Sequence, residues 1–299
     1  MNREILGFLK MNDVEYRENV LLSSLSPIRI GNAAKIIAYP DSEAKIVNLL
    51  RFLWNNEIKY KILGRMSNIL PPDEKYEGVL IRTDRLKELS IRQDSLFVCA
   101  GASLSYISVM LGSEGLSGFE AICGIPGSIG GAVSGNAGAF GREMSDLVES
   151  VRAYDVADDQ IIDLTNAECH FNYRDSIFHK KDFLILSVRF KRIRSDKDSV
   201  IFQMRQVADI RKKTQPIDMP SLGSSFKRPS AGVSAAKLID ECGLKGFRIG
   251  GAAVSEKHAG FIVNLGRATA KDYIDLSDYV KKCVFEKYKI QLEREIEIM

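Results

Sequence analysis

From Gly124 to Gly141 the sequence reads GIPGSIGGAVSGNAGAFG, and seven of its 18 residues are glycine. Glycines at this density let the backbone take positive φ and approach a ligand closely. Successive N–H groups can then form a concave anion site. The chemistry this points to is phosphate or dinucleotide binding, with a long structural loop as the plain alternative. The stretch is neither a P-loop nor a G-x-G-x-x-G that opens a helix. A shorter loop, Gly64-Arg65-Met66-Ser67-Asn68, follows a strand pattern and by itself is an ordinary turn. Arg174 in Asn172-Tyr173-Arg174-Asp175-Ser176, Ser224 in Gly223-Ser224-Ser225-Phe226, and Glu293, Glu295 and Glu297 at a period of two are reactive side chains in unremarkable settings. Taken alone they read as a surface arginine, a turn serine and a solvated strand face. His170, His179 and His258 have no metal-site spacing, so no metal is expected.

The elements around these residues are short and mixed. Strand patterns occupy Lys35 to Tyr39, Tyr60 to Leu63, Val79 to Arg82, Ser150 to Val156, Gln160 to Leu164 and Phe183 to Phe190. Leu86 to Ile91 and Leu96 to Ala100 form a hairpin pattern. Asp41 or Ser42 caps a helix with Ile46, Leu49, Leu50 and Leu53 on one face, and Ser103 caps another running to about Ser113. After a polar stretch, Ser195 to Ser199, come helices over Val200 to Lys213, Ser234 to Cys242 and Thr269 to Tyr288. Short strands near Ala252 and Phe261 lie between the last two, and Leu292 to Ile298 reads as a closing strand. This irregular order predicts an α+β fold rather than a doubly wound sheet.

Composition bounds the possibilities. The 299 residues carry 42 basic and 39 acidic side chains, a net charge of +3, which argues against a dedicated nucleic-acid binder. Five cysteines, odd in number and without a C-x-x-C, point to a reducing compartment and away from disulfides or zinc. Met1-Asn2-Arg3-Glu4 leads into no sustained apolar stretch, so no signal peptide is expected. The uncharged run from Ala121 to Gly141 holds too many glycines, and Pro126, to span a membrane as a helix. A cytoplasmic protein with no membrane partner is the expectation. The Lys191 to Lys213 stretch, with eight basic and three acidic residues, reads as a solvated helix face.

With these residues in view, Cys123 to Gly141 resembles the flavin-binding signature of the UDP-N-acetylenolpyruvoylglucosamine reductase family. Further similar motifs follow in family order. They are Arg29-Ile30-Gly31, the Gly64 loop with Ser67-Asn68, Asn172 to Ser176, Pro220 to Pro229 (PSLGSSFKRP), Phe247 to Gly251, Val254 to Asn264 and Arg294-Glu295-Ile296. The VSEKHAGF sequence in the last third is similar to the shorter, type II form. The resemblance implies a two-lobed FAD-binding domain of the p-cresol methylhydroxylase/vanillyl-alcohol oxidase type over residues 1–195, with lobes at about 1–82 and 83–195. A C-terminal α+β substrate domain would occupy 196–299.

The resemblance also implies noncovalent FAD, NADPH as cosubstrate, a UDP-sugar as substrate and a monomer. Hydride would pass from NADPH to FAD and on to C3 of the enolpyruvyl ether, while an enzyme acid protonates C2. Family matching makes Arg174 the group that polarises the substrate carboxylate, Ser224 the proton donor and Glu295 a second electrophilic group. It assigns FAD to Gly64, Ser67, Asn68, Gly124, Ile125, Pro126, Gly127, Ser128, Gly130, Gly131, Asn136 and Gly138. It assigns substrate to Tyr173, Lys213, Lys227, Arg228 and His258, where the basic stretch would favour phosphates. The departures that bear on affinity are Arg65-Met66, where the family usually has glycine, Asn32 for a second glycine, Pro27 for a threonine, Thr214 for a lysine and Gly135 for a methionine. A flavin oxidase on the same fold, or a non-catalytic nucleotide-binding paralogue without flavin, are the alternatives. No His or Cys tether for flavin is evident.

Overall fold

The computed structural model describes residues 2–92 and 95–299. The chain folds into two compact units, each assembled from segments distant in sequence. The first consists of Met1–Glu18, Lys35–Arg65 and Glu77–Ala208. The second consists of Asn19–Ala34, Met66–Tyr76 and Asp209–Met299.

In the first unit, a four-stranded sheet runs in the order Glu15–Leu21, Ala33–Tyr39, Tyr76–Arg82, Tyr60–Leu63. The last two are parallel, with Leu63 opposite Arg82, so the Gly64 loop leaves the carboxyl end of its strand. Helices α1 (Asn2–Met11) and α2 (Glu43–Asn55) cover this sheet. Leu9 meets Ile46, Leu49, Leu50 and Leu53 there in one apolar cluster with Ile36, Val79 and Ile81. The α2 face is the one its apolar spacing predicts, and Ser42 caps it by accepting from Lys45 N. The sequence reading missed α1 and the strand after it, because that strand shows no alternation: its exposure pattern is almost wholly solvent-facing.

A second, antiparallel sheet runs Gln160–Thr165, Val148–Asp155, Phe183–Lys191, Ser95–Cys99, Leu89–Ile91. Its three central strands are largely buried, while the edge strands Gln160–Thr165 and Leu89–Ile91 are mostly exposed. Tyr154, Leu184 and Leu186 join the α1/α2 cluster. Val151, Ala153, Ile185, Val188 and Phe190 pack with α3 (Leu104–Ser113) and α4 (Ile129–Ser134). Period-two alternation sends neighbouring residues to opposite faces, and in the central strands the two faces enter different apolar clusters. The expected Leu86 to Ala100 hairpin is present as the pair Leu89–Ile91 and Ser95–Cys99. Part of its turn lies outside the described residues.

The second unit has a four-stranded antiparallel sheet, Ser221–Ser224, Phe261–Asn264, Ala252–Val254, Arg248–Ile249. The helix α5 (Lys197–Thr214) precedes it, and the sheet packs under α6 (Ala235–Glu241) and α7 (Ala270–Tyr288), with Tyr273, Leu276, Val280 and Val284 fully buried. Ile28, Ile30 and Leu70, distant in sequence, belong to the same apolar cluster. This packing places two N-terminal segments in the second unit, and no local pattern shows them. The units part within α5, whose helical pattern continues without a break across Ala208.

The closing strand is shorter than its alternation predicts. Only Glu297–Ile298 is a strand, paired in parallel with Ile69–Leu70. Residues 293–296 instead run beside 225–227, through Glu295 N to Ser225 O (2.9 Å), Lys227 N to Glu293 O (2.9 Å) and a Phe226–Arg294 bridge. Leu292 and Ile296 remain buried.

Candidate active site

The two glycine-bearing loops meet inside the first unit. A Cβ built on Gly64 would press on Ser128 Oγ, so the Gly64 backbone lies directly against the Gly124 to Ser128 turn. Gly127 sits at φ +150°. Among the described residues, no protein acceptor is found for the N–H groups of Gly64, Arg65, Gly124, Gly127 and Ser128. Ser128 is only 2% exposed. A buried N–H without a partner costs about 1–3 kcal/mol. Open N–H groups on two touching loops suit an anionic group such as a dinucleotide pyrophosphate. The residues present therefore fit FAD at this position.

Several of the residues assigned to FAD also bond to or pack on the protein itself. Gly130 donates its N–H to Ala100 O (2.8 Å), and a Cβ there would lie 2.9 Å from Ala100 Cβ. Gly138 would put a Cβ 2.7 Å from Arg142 O across a two-residue hairpin. Packing alone requires glycine at both positions. Ile129 N likewise donates to Ala102 O, so the start of α4 is committed to the protein. Ile125 packs on the first unit's core, Pro126 is exposed, and Gly131 N is taken by the Ser128 cap.

Asn136 is 1% exposed with φ +39°. Its Nδ2 donates to Glu143 Oε2 (2.9 Å) and Asn172 O (3.0 Å), and its Oδ1 accepts from Ser145 N (2.9 Å). Both hydrogens of its Nδ2 and its Oδ1 are thus engaged by protein groups. Ser67 and Asn68 belong to the second unit, and Asn68 Nδ2 donates to Glu295 O (3.0 Å).

Arg174 stands at the third position of a tight turn closed by mutual Asn172–Asp175 backbone hydrogen bonds. Its φ is +53°, a region that costs a non-glycine residue roughly 1–2 kcal/mol. Its guanidinium donates to Gly138 O (3.0 Å) and lies 5.1 Å from the Tyr173 ring centroid. The Arg174 turn is thereby held on the glycine-rich loop. Asp175 beside it is held below the usual carboxylate range by a hydrogen bond from Lys180 Nζ at 2.6 Å.

In the second unit, Gly223 at φ +80° turns the strand so that Ser224 is exposed while Ser225 is fully buried. Ser225 Oγ accepts from Tyr273 Oη (2.8 Å) and from Ile262 N (3.1 Å). Burial pushes the Tyr273 hydroxyl well above its ordinary pKa, so it remains a donor. Glu295 is half-buried, its N–H on Ser225 O. Lys227 pairs with Glu293 at 2.6 Å. Such an exposed pair is worth about 0–1 kcal/mol and exchanges readily for another anion. Lys213 and Arg228 are exposed, and Thr214 Oγ1 is turned back to Ile210 O (2.8 Å). His258 accepts from Gly260 N at Nδ1 (3.2 Å), and burial lowers its pKa, which favours a neutral ring with its proton on Nε2. Among the described residues, no group of three His, Cys, Asp or Glu side chains is placed to hold a metal.

Comparison with known proteins decides the family. Residues 34–165 match the FAD binding domain model, and residues 215–299 match UDP-N-acetylenolpyruvoylglucosamine reductase, C-terminal domain. A UDP-N-acetylenolpyruvoylglucosamine reductase of Caldanaerobacter subterraneus subsp. tengcongensis is 41% identical over 91% of this chain and 89% of its own length. The chain belongs to this reductase family. A family member from Lactobacillus delbrueckii subsp. bulgaricus is 38% identical over 97% of each chain. The crystal structure of the family enzyme from Thermus caldophilus superposes with a TM-score of 0.81 at 33% identity, covering 95% of this chain and 98% of that one. A solvent-stable cholesterol oxidase, at 14% identity and a TM-score of 0.50 over 84% of this chain and 48% of its own, shares the fold alone. The chain is α+β with an FAD binding domain over residues 34–165, as the sequence motifs imply. Among the described residues, no helix is long and apolar enough to cross a membrane.

Proposed function

We propose that this protein reduces UDP-N-acetylglucosamine enolpyruvate to UDP-N-acetylmuramate for peptidoglycan synthesis, with FAD held noncovalently and NADPH as the hydride source. When bound, FAD supplies hydride carriage from the nicotinamide to C3 of the enolpyruvyl ether. The observation that carries the reading is Arg174, held in left-handed backbone with its guanidinium on the glycine-rich loop. Negative charge develops on the substrate carboxylate as C3 gains hydride, and a positioned guanidinium stabilises it. A planar fork can pair bidentately with a carboxylate. Ser224, exposed at the end of its strand, gives the proton to C2. Glu295, on the neighbouring backbone, is the second electrophilic group at the carboxylate. Gly64, Gly124, Gly127 and Ser128 offer backbone N–H groups to the pyrophosphate. Ile125, Pro126 and Gly131 belong to the same glycine-rich loop, and Ser67 and Asn68 continue the Gly64 loop. Tyr173, Lys213, Lys227, Arg228 and His258 are proposed for the nucleotide-sugar, Lys227 by exchanging Glu293 for phosphate.

In this reading residues 1–195 carry the cofactor and 196–299 the substrate. The protein acts in the cytoplasm as a monomer, without nucleic-acid or membrane partners. The test is twofold. Freshly purified protein should show the visible bands of oxidised flavin, released on denaturation. NADPH oxidation should depend on the enolpyruvyl substrate. Colourless protein that cannot be reconstituted with FAD would favour the nucleotide-binding paralogue, and reoxidation faster with oxygen than with substrate would favour an oxidase.

A further inference from the structure

The Arg174 turn is docked onto the glycine-rich loop at alternate residues of that loop. Ser134 O accepts from Ser176 Oγ (2.6 Å), Asn136 Nδ2 donates to Asn172 O (3.0 Å), and Gly138 O accepts from Arg174 Nη2 (3.0 Å). Ser134, Asn136 and Gly138 thus grip the last, first and third residues of Asn172 to Ser176. The middle contact is unlike its neighbours. The outer two use loop carbonyls as passive acceptors, whereas Asn136 contributes a side chain that bonds in three directions. Its second Nδ2 bond goes to Glu143 Oε2 and its Oδ1 takes Ser145 N. Both acceptors of Nδ2 are oxygens without hydrogens and the donor to Oδ1 is an amide, so this amide orientation alone satisfies all three. Its buried, left-handed backbone places that amide under the turn.

We propose that Asn136 is a positioning residue for Arg174. It locks the Asn172–Asp175 turn onto the flavin loop, so that the strained Arg174 backbone is held where its guanidinium meets the substrate carboxylate. The inference rests on the reductase reading for its functional consequence, but not for its structural one. Arg174 occupies a turn position that favours glycine, so without the Asn172 anchor the turn can relax to negative φ and carry the guanidinium elsewhere. A cofactor ligand at the same position would behave differently, because its loss would weaken FAD whatever residue stood at 174.

The structural arm uses Asn136→Ala and the isosteric Asn136→Asp, which keeps the acceptor for Ser145 N but turns the donors to Glu143 and Asn172 into a repelling carboxylate. Hydrogen exchange of the peptide spanning 170–178 should speed up by at least tenfold in both, with the rest of the chain unchanged. Unchanged exchange in this peptide overturns the proposal. So does failure of both variants to fold, which would make Asn136 a residue of the fold at large.

The functional arm compares half-reactions. NADPH-driven flavin reduction and FAD content should be retained, while reoxidation by saturating enolpyruvyl substrate slows by about 10- to 100-fold. In an Arg174→Ala background, Asn136→Ala should add less than a twofold further loss. Full additivity, or FAD loss in both backgrounds, overturns the proposal. If wild-type protein is not reoxidised by that substrate, the reductase reading fails, and the exchange result still decides whether Asn136 holds the turn.

Discussion

The adjacent serines Ser224 and Ser225 should fail in opposite ways. Ser225 Oγ is fully buried and takes two donors, Tyr273 Oη at 2.8 Å and Ile262 N at 3.1 Å. Ser225→Ala removes the acceptor and strands both. An unsatisfied buried donor costs about 1–3 kcal/mol, so the two together set a loss of about 2–6 kcal/mol. In a chain of this size that lowers the melting temperature by roughly 3–10 °C. Ser224 is exposed, so Ser224→Ala should change stability by less than about 0.5 kcal/mol. Its cost falls on proton delivery to C2, where general-acid help is typically worth about 10²–10⁴-fold. Stopped-flow absorbance at the flavin band should therefore show intact reduction by NADPH and a reoxidation slowed to that extent in Ser224→Ala. Ser225→Ala, assayed below its lowered melting point, should reoxidise at nearly the wild-type rate. The reasoning is refuted if Ser225→Ala melts normally and carries the reoxidation defect, which would shift the proton donor by one residue. Equal loss of both half-reactions in Ser224→Ala would make that serine a support for flavin or fold instead.

Three further outcomes follow from the same geometry. Met66 is 2% exposed at φ +56°, so Met66→Gly relieves about 1–2 kcal/mol of backbone strain but forfeits about 1.5–3 kcal/mol of side-chain burial. Net stability should fall slightly, and a flavin titration should show FAD binding unchanged or tighter; marked weakening would mean that the Met66 side chain supports the site. Gly130→Ala presses a Cβ against Ala100, at 2.9 Å from Cβ and 3.3 Å from O, and should destabilise the FAD-free protein by about 1–3 kcal/mol in thermal melts. An unchanged melt with lost flavin would return Gly130 to the cofactor. Burial lowers the folded-state pKa of His258, so its contribution to stability is complete above the unfolded value near 6.5 and is lost as pH falls below it, because the unfolded chain takes up the proton first. Melting curves from pH 7.5 to 5.5 should be flatter in His258→Gln than in wild type; parallel curves would show that another group titrates.

Local pattern was enough for the elements that carry their own signal. Apolar spacing and a serine cap define α2, and Val148–Asp155 and Phe183–Lys191 announce themselves by strand-forming residues. The order of motifs was enough for the family, because each is short and nearly contiguous. What glycines do was not legible. Gly64 and Gly130 look alike in sequence, and only their neighbours in space, Ser128 Oγ and Ala100, show that one touches the second loop while the other packs on the end of a strand. Asn136 lies in the signature, but nothing local shows what its side chain bonds to. Its partners Glu143, Ser145 and Asn172 are side-chain and backbone groups whose positions depend on how two loops fold back. The Ser224/Ser225 distinction was half legible, since alternation says that the two point apart but not which is inside. That was decided by Tyr273, 48 residues further on, which brings a buried hydroxyl needing a partner. The second unit's claim on Ile28, Ile30 and Leu70 has the same origin. Sequence periodicity reports which residues must be buried, whereas only the folded chain determines what they are buried against.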